Sequence, residues 1–189
     1  AAKLPAIVYV TGGGFINANK DNGIQLRMHL AEAGYVVASI QYRVAPTARF
    51  PEPLEDVKAS IRYLKAHADQ FGIDPERIGI IGGSAGGYLT AMAATTSGTK
   101  TFDKGDNLQV GSDVKAAVDL YGLSDHGTND TVVSPSQTDL LFQALQKHHV
   151  PSKRYLVEGA AHGGIYWNQK EVLDIITTFF DSYLNHNHQ

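Results

Sequence analysis

Apolar positions recur along this 189-residue chain in two alternating rhythms. Nearly continuous apolar or β-branched runs at Ala6–Val10, Tyr35–Tyr42, Arg77–Gly82, Val114–Tyr121 and Arg154–Val157 have the length of strands covered on both faces. Between them lie stretches whose apolar residues fall three and four apart. The clearest carries Leu54, Val57, Ile61 and Leu64 and is expected to run as one helix to Phe71–Gly72. A helix over roughly 23–33 is expected to be capped by Asp21 or Asn22, with Ile24, Met28 and Ala31 inward. Further helices are expected over about 85–96, from Ser134–Pro135 to about His149, and after Asn168, the last with Val172, Ile175, Ile176, Phe179 and Tyr183 inward. Pro46, Pro51 and Pro53 make 44–53 a rigid loop, Asp74–Pro75 reads as a turn, and the polar stretches 97–113 and 122–135 read as exposed loops.

Steady alternation of strand and helix requires right-handed crossovers between parallel strands. The expected architecture is therefore an α/β three-layer sandwich: a mostly parallel sheet with helices on both faces, formed as a single domain over residues 1–189. In such sheets ligands sit at the carboxyl ends of the strands, and every glycine-rich loop of this chain follows a strand. Composition is that of an ordinary globular protein, 43% hydrophobic and 19% charged. Sixteen basic against nineteen acidic residues, with no basic block, argue against nucleic acid or an anionic membrane as partner. No apolar run has the length of a membrane helix. The absence of cysteine excludes disulfides and thiolate chemistry but chooses no compartment. A soluble protein is expected, with secretion slightly favoured over the cytoplasm. The opening Ala1–Ala2–Lys3–Leu4–Pro5 reads as a trimmed or mature start.

Candidate chemistry begins at Ile78–Gly79–Ile80–Ile81–Gly82–Gly83–Ser84–Ala85–Gly86–Gly87, a strand-like run that narrows to G-x-S-x-G and continues as an Ala/Leu/Met helix former. A serine on so sharp a strand-to-helix turn needs small neighbours, and the turn presents the Ala85 N–H at a helix N-terminus. A serine hydroxyl at neutral pH also needs an imidazole and a group to orient it. Of the eight histidines, His29 and His67 fall inside expected helices, His148 and His149 at a helix end, and His186 and His188 in the tail. His162 alone stands in a small-residue loop after the last expected strand. Among the acids between Ser84 and His162, Asp125 and Asp130 follow a strand in a loop, and either is equally able to form an Asx-turn. Gly12–Gly13–Gly14 after the first strand lets backbone N–H groups approach a substrate oxygen. A phosphate-binding loop is disfavoured there, because no Lys-Ser/Thr pair follows.

Taken together, these segments resemble the α/β-hydrolases of the hormone-sensitive-lipase-like carboxylesterase group, close to feruloyl, acetyl-xylan and short-chain esterases. The resemblance rests on Thr11–Gly12–Gly13–Gly14–Phe15 (family H-G-G-G-F), Tyr42–Arg43–Val44–Ala45–Pro46 (Y-R-L-A-P), Phe50–Pro51, Asp74–Pro75–Glu76–Arg77–Ile78, Gly83–Ser84–Ala85–Gly86–Gly87, His126–Gly127–Thr128–Asn129–Asp130 (H-G-x-x-D) and Gly159–Ala160–Ala161–His162–Gly163. It implies Ser84 as nucleophile, His162 as base, Asp130 as orienting acid, and Gly13, Gly14 and Ala85 as oxyanion donors. It also implies two-step hydrolysis of short-chain or aromatic esters, small or polymer-linked, with no cofactor and no metal. Phe15, Tyr88, Tyr166 and Trp167 flank these motifs as candidate pocket walls.

Three departures stand out. Thr11 replaces the family histidine, and Ser134 replaces a usual proline. Tyr121–Gly122–Leu123–Ser124–Asp125 directly abuts His126–Gly127, where the family has a long intervening segment. The lack of an apolar strand before His126 favours an omitted segment over a minimal, cap-less hydrolase, and if the join is real Asp125 rivals Asp130 as the acid. Two other readings are compatible with the sequence: a prolyl-oligopeptidase-like peptidase, which shares G-x-S-x-G-G, and a catalytically silent binding module on the same fold.

Overall fold

A computed structural model describes residues 2–122, 135–147 and 149–185. Four parallel strands form one sheet in the order β2-β1-β3-β4: β1 Leu4–Val10, β2 Val36–Ile40, β3 Ile73–Gly83 and β4 Ala116–Leu120. The helices are α1 Ile24–Glu32, α2 Glu52–Ala66, the short α3 Ala68–Phe71, α4 Ala85–Thr95, α5 Pro135–Lys147 and α6 Lys170–Leu184. Side-chain alternation along the central strands divides the interior in two. Ala6, Val8, Val10, Ile78 and Ile80 pack with Leu54, Val57, Ile61 and Leu64 of α2 and Leu89 and Ala93 of α4. Ile7, Tyr9 and Ile81 pack with Leu26 and Leu30 of α1 and Leu173, Ile176, Phe180 and Leu184 of α6. These are the two outer layers of the three-layer sandwich.

The register of the sheet fixes where chemistry can occur. Val10 pairs with Gly82 and Leu120 with Gly83, so β1, β3 and β4 end side by side. The chain leaves β1 for β2 on one side and returns to β3 on the other, which opens a crevice at that switch point. Thr11–Gly12, Ser84 and Tyr121 all emerge there.

Several elements differ from their sequence expectation. The helix expected to run from Leu54 to Phe71 breaks at His67 into α2 and α3. Asp74–Pro75 does not separate elements: β3 begins at Ile73, and its pairing with β1 shifts between Leu4 and Ala6, so the turn is taken up as a bulge within the strand. On α1 the buried residues are Leu26 and Leu30, whereas Ile24 and Met28 are exposed; Gly23 in the left-handed region caps the helix, not Asp21 or Asn22. The loop 97–113 is not merely solvated. The fully buried Arg62 of α2 donates to the carbonyls of Lys104 and Asp106 and pairs with Asp103, while buried Lys58 donates to Thr96 O at 3.0 Å.

Arg154–Val157, expected as a strand, joins no ladder. The outer edge of β4 instead faces a slot of about 610 Å³ lined by Val118 of β4, Leu145 of α5, Leu156, and Val172, Ile175 and Phe179 of α6. Of the α6 residues expected inward, Ile176 lies in the core, whereas Val172, Ile175, Phe179 and Tyr183 line this slot; the other α6 core residues are Leu173, Phe180 and Leu184. Gln169, not Asn168, precedes α6. Among the described residues, no helix is long and apolar enough to cross a membrane.

Candidate active site

Ser84 follows the last residue of β3 with φ 55° and ψ −123°, a left-handed conformation that a non-glycine residue adopts only when its surroundings impose it. Those surroundings are glycines. A Cβ on Gly86 would lie 2.1 Å from Val10 O and 2.5 Å from Thr11 O, and one on Gly82 would lie 2.4 Å from Gly86 O. The start of α4 therefore lies against the end of β1 with no room for a methyl group. Ser84 N donates to Leu120 O at 2.9 Å and its carbonyl accepts Tyr88 N–H at 3.0 Å, which locks the turn between β4 and α4. The half-buried hydroxyl is left pointing to the strand-end crevice.

There it meets His162. Ser84 Oγ and His162 Nε2 are 2.8 Å apart, although 78 residues separate them in sequence. The histidine sits on a tight reverse turn between Gly159 and Gly163, both at φ 76°, with Ala161 bridging Gly163. Trp167, on the 3₁₀ turn Ile165–Asn168, ties this loop down by donating its indole N–H to Ala161 O at 3.0 Å. Ala160, fully buried, anchors it to the α6 core.

The glycine loop stands opposite. Gly12 lies so close to the serine turn that a Cβ there would be 2.8 Å from Gly83 O and 3.2 Å from Ser84 Cβ. Gly13 (φ 138°) and Gly14 (φ 62°) turn the backbone away, and Gly13 O accepts from Ile16 N and Asn17 N, both at 3.1 Å. No hydrogen bond among the described residues engages the N–H of Gly13, Gly14 or Ala85. Thr11, at the entry to this loop, is fully buried and well held: Tyr42 donates its hydroxyl to Thr11 O at 2.8 Å, and Asn22 donates to Thr11 Oγ1 at 3.4 Å. Burial pushes the Tyr42 phenol pKa up to about 12, so it remains a neutral donor.

A cavity of about 330 Å³ opens at Ser84, walled by Gly12, Gly13, Tyr9, Leu26, Tyr121 and Trp167 among others. Of the four aromatic residues expected near it, Trp167 lines this cavity. Phe15 and Tyr88 meet edge to face at 5.9 Å and pack against the α2–α4 core, and Tyr166 is exposed beside Gly159. Tyr9, Leu26 and Tyr121 escaped the sequence reading because their contribution depends on which face of β1, α1 and β4 looks into the crevice. For Tyr121 a signal was present: it follows a strand on the same edge as Ser84.

Asp125, Asp130 and the join at His126 lie outside the described residues, as do His148, His186 and His188. His29 lies on α1, 3.9 Å from Asp174, and His67 ends α2, bound to Tyr63 O. Asp119 closes the end of β4 by accepting Gly122 N–H at 3.1 Å, and Asp139 pairs with Arg154 at 2.8 Å. No group of three His, Cys, Asp or Glu suited to a metal ion occurs among the described residues.

A parallel sheet that presents a left-handed serine at the end of a central strand, between helices on both faces, is a reduced α/β-hydrolase fold. The chain belongs to the BD-FAE family, whose model matches residues 1–126. A solved structure described as a truncated form of a carbohydrate esterase from gut microbiota superposes with TM-score 0.90 over 98% of this chain and 88% of that one, at 25% identity. Esterase LipC of Mycobacterium tuberculosis is 38% identical over 64% of this chain and 30% of its own length. An acetyl esterase of Salmonella paratyphi B is 35% identical over 63% of this chain and 36% of its own. The chain thus spans about a third of the length of the curated relatives it matches.

Proposed function

We propose that this protein, as a single catalytic domain, hydrolyses carboxylic esters through an acyl-enzyme formed on Ser84. The observation that carries the reading is the 2.8 Å contact of Ser84 Oγ with His162 Nε2 at a serine held in a left-handed turn. Ser84 Oγ attacks the ester carbonyl carbon as His162 Nε2 takes its proton. The N–H groups of Gly13, Gly14 and Ala85 receive the charge that develops on the carbonyl oxygen. Collapse of the tetrahedral intermediate breaks the ester C–O bond, and His162 returns the proton to the departing alcohol. Water then attacks the acyl-serine by the same proton route, which releases the acid and restores Ser84. Asp130 is the acid that fixes the His162 tautomer, with Asp125 as its rival. The chemistry calls for no metal or cofactor.

The substrates proposed are short-chain or aromatic esters, free or polymer-linked. A cavity of about 330 Å³ suits a small acyl or alkoxy group beside Ser84, and relatives carry the names acetyl esterase and carbohydrate esterase.

Turnover of p-nitrophenyl esters from acetate to octanoate and of methyl ferulate, by wild type and Ser84→Ala, tests the reading. The expected result is turnover of the shortest esters or of the ferulate that disappears in Ser84→Ala. Faster cleavage of peptides than of esters would point to a peptidase instead, and no Ser84-dependent turnover would leave only a binding role.

A further inference from the structure

Tyr121 is the first residue past β4, and its backbone stands at φ 37°, a left-handed conformation costly for an aromatic residue. Asp119 secures that conformation by accepting Gly122 N–H at 3.1 Å across the turn. The result is to drive the Tyr121 ring into the space between the serine turn and the histidine loop. Its far end presses on the serine turn: a Cβ on Gly83 would lie 2.7 Å from both Cζ and the hydroxyl oxygen. On its other sides the ring meets His162 edge to face at 5.6 Å (70°) and Trp167 at 4.9 Å (60°). Trp167 is itself buried and holds Ala161 O through its indole N–H. Tyr121 and Trp167 thus bracket the residue that carries the imidazole.

We propose that Tyr121 is a positioning residue for the Ser84–His162 pair: its ring is a rigid wall that leaves the imidazole one orientation, with Nε2 directed at Ser84 Oγ. The inference rests on the ester-hydrolase reading of that pair. A histidine on a surface loop has several staggered side-chain rotamers of comparable energy. The proposed acid fixes the tautomer and the 2.8 Å bond to Ser84 Oγ favours one rotamer, yet that bond must loosen in every cycle as the proton moves. The aromatic wall persists through the cycle, because it does not depend on the proton. The ring rather than the hydroxyl is assigned this work. The hydroxyl makes no hydrogen bond to a described residue, and burial pushes its pKa up to about 12, so it stays neutral.

The test compares wild type, Ser84→Ala, Tyr121→Phe, Tyr121→Ala, Tyr121→Leu and Trp167→Phe on the shortest ester turned over, with active sites counted by phosphonate titration and folding followed by thermal melting. Misplacing a catalytic group by about 1 Å costs roughly 100-fold, so Tyr121→Ala and Tyr121→Leu are expected to lose about 10- to 100-fold in kcat per titrated site with KM within about threefold, while Tyr121→Phe stays within about twofold. Trp167→Phe keeps a ring but loses the bond to Ala161 O, and an intermediate loss is expected. Leucine supplies the outcome if the alanine variant does not fold. Wild-type kcat per site in Tyr121→Leu, even at a lowered melting temperature, would reduce Tyr121 to packing and overturn the proposal. A Phe variant as impaired as Ala would also overturn it, since the hydroxyl would then be the active part. Loss of Ser84 dependence would remove the underlying reading; retained Ser84 dependence with unimpaired Tyr121 variants would remove only this inference.

Discussion

Ser84→Ala and His162→Ala are each expected to lower kcat for ester hydrolysis on the order of a million-fold, and the double variant no further. In the proposed mechanism the two side chains act as one device. The hydroxyl attacks only as its proton leaves, and the proton leaves only to Nε2, 2.8 Å away. Once either is missing, the other has nothing to act on, so the losses cannot multiply. What remains in both single variants is the contribution of binding and of the backbone N–H groups, on the order of 10³–10⁴ over water. Steady-state kcat for the two single variants and the double, on one short p-nitrophenyl ester, checks this. Losses that multiply would mean that Ser84 and His162 serve separate steps.

Gly86→Ala is expected to destabilise the protein by more than about 4 kcal/mol and to abolish activity with it. Glycine to alanine inside a helix ordinarily stabilises by about 0.5–1 kcal/mol, so the expected sign is reversed. The reversal has a specific cause. The new methyl would stand 2.1 Å from Val10 O and 2.5 Å from Thr11 O, and both atoms belong to backbone that cannot turn aside. Relief requires α4 to lift away from β1, carrying the Ala85 N–H and Ser84 away from the glycine loop. Gly72→Ala is the companion measurement: its Cβ would meet nothing within 4 Å, and only φ +66° opposes it, so a cost of about 1–2 kcal/mol is expected. Urea midpoints of both variants separate the steric effect from the backbone one. Equal costs would show that the close approach of α4 to β1 yields more readily than the contacts imply.

The site was legible in sequence to the extent that it is written in local chemistry. Ser84 stood out because a left-handed strand-to-helix turn demands small neighbours, and Gly82, Gly83, Gly86 and Gly87 provide them. Gly12–Gly14 was legible for the same reason. His162 required only that a lone histidine follow a late strand-like run on the correct sheet edge. The parallel direction of the strands followed from alternation alone; their order β2-β1-β3-β4 did not. What sequence did not reveal depends on partners distant in the chain. Arg154–Val157 has the composition of a strand, but a strand is defined by its ladder, and β4 stands across a slot from it. The apolar positions of α6 cover two adjacent faces, so periodicity alone did not choose between Ile175 and Leu173 as the core contact. Lys58 and Arg62 read as polar positions of an amphipathic helix, and only the carbonyls of the 97–113 loop explain their burial. Tyr121 belongs to the same class: its importance comes from what closes around it.

In the proposed mechanism Ser84 is a nucleophile activated by His162. A fluorophosphonate forms a stable bond to an activated serine with loss of fluoride, and peptide mass spectrometry locates the adduct. Stoichiometric labelling of wild type at Ser84 is expected, with no labelling in the same time of His162→Ala or Ser84→Ala. Labelling at another residue, or equal labelling of wild type and His162→Ala, would contradict that mechanism.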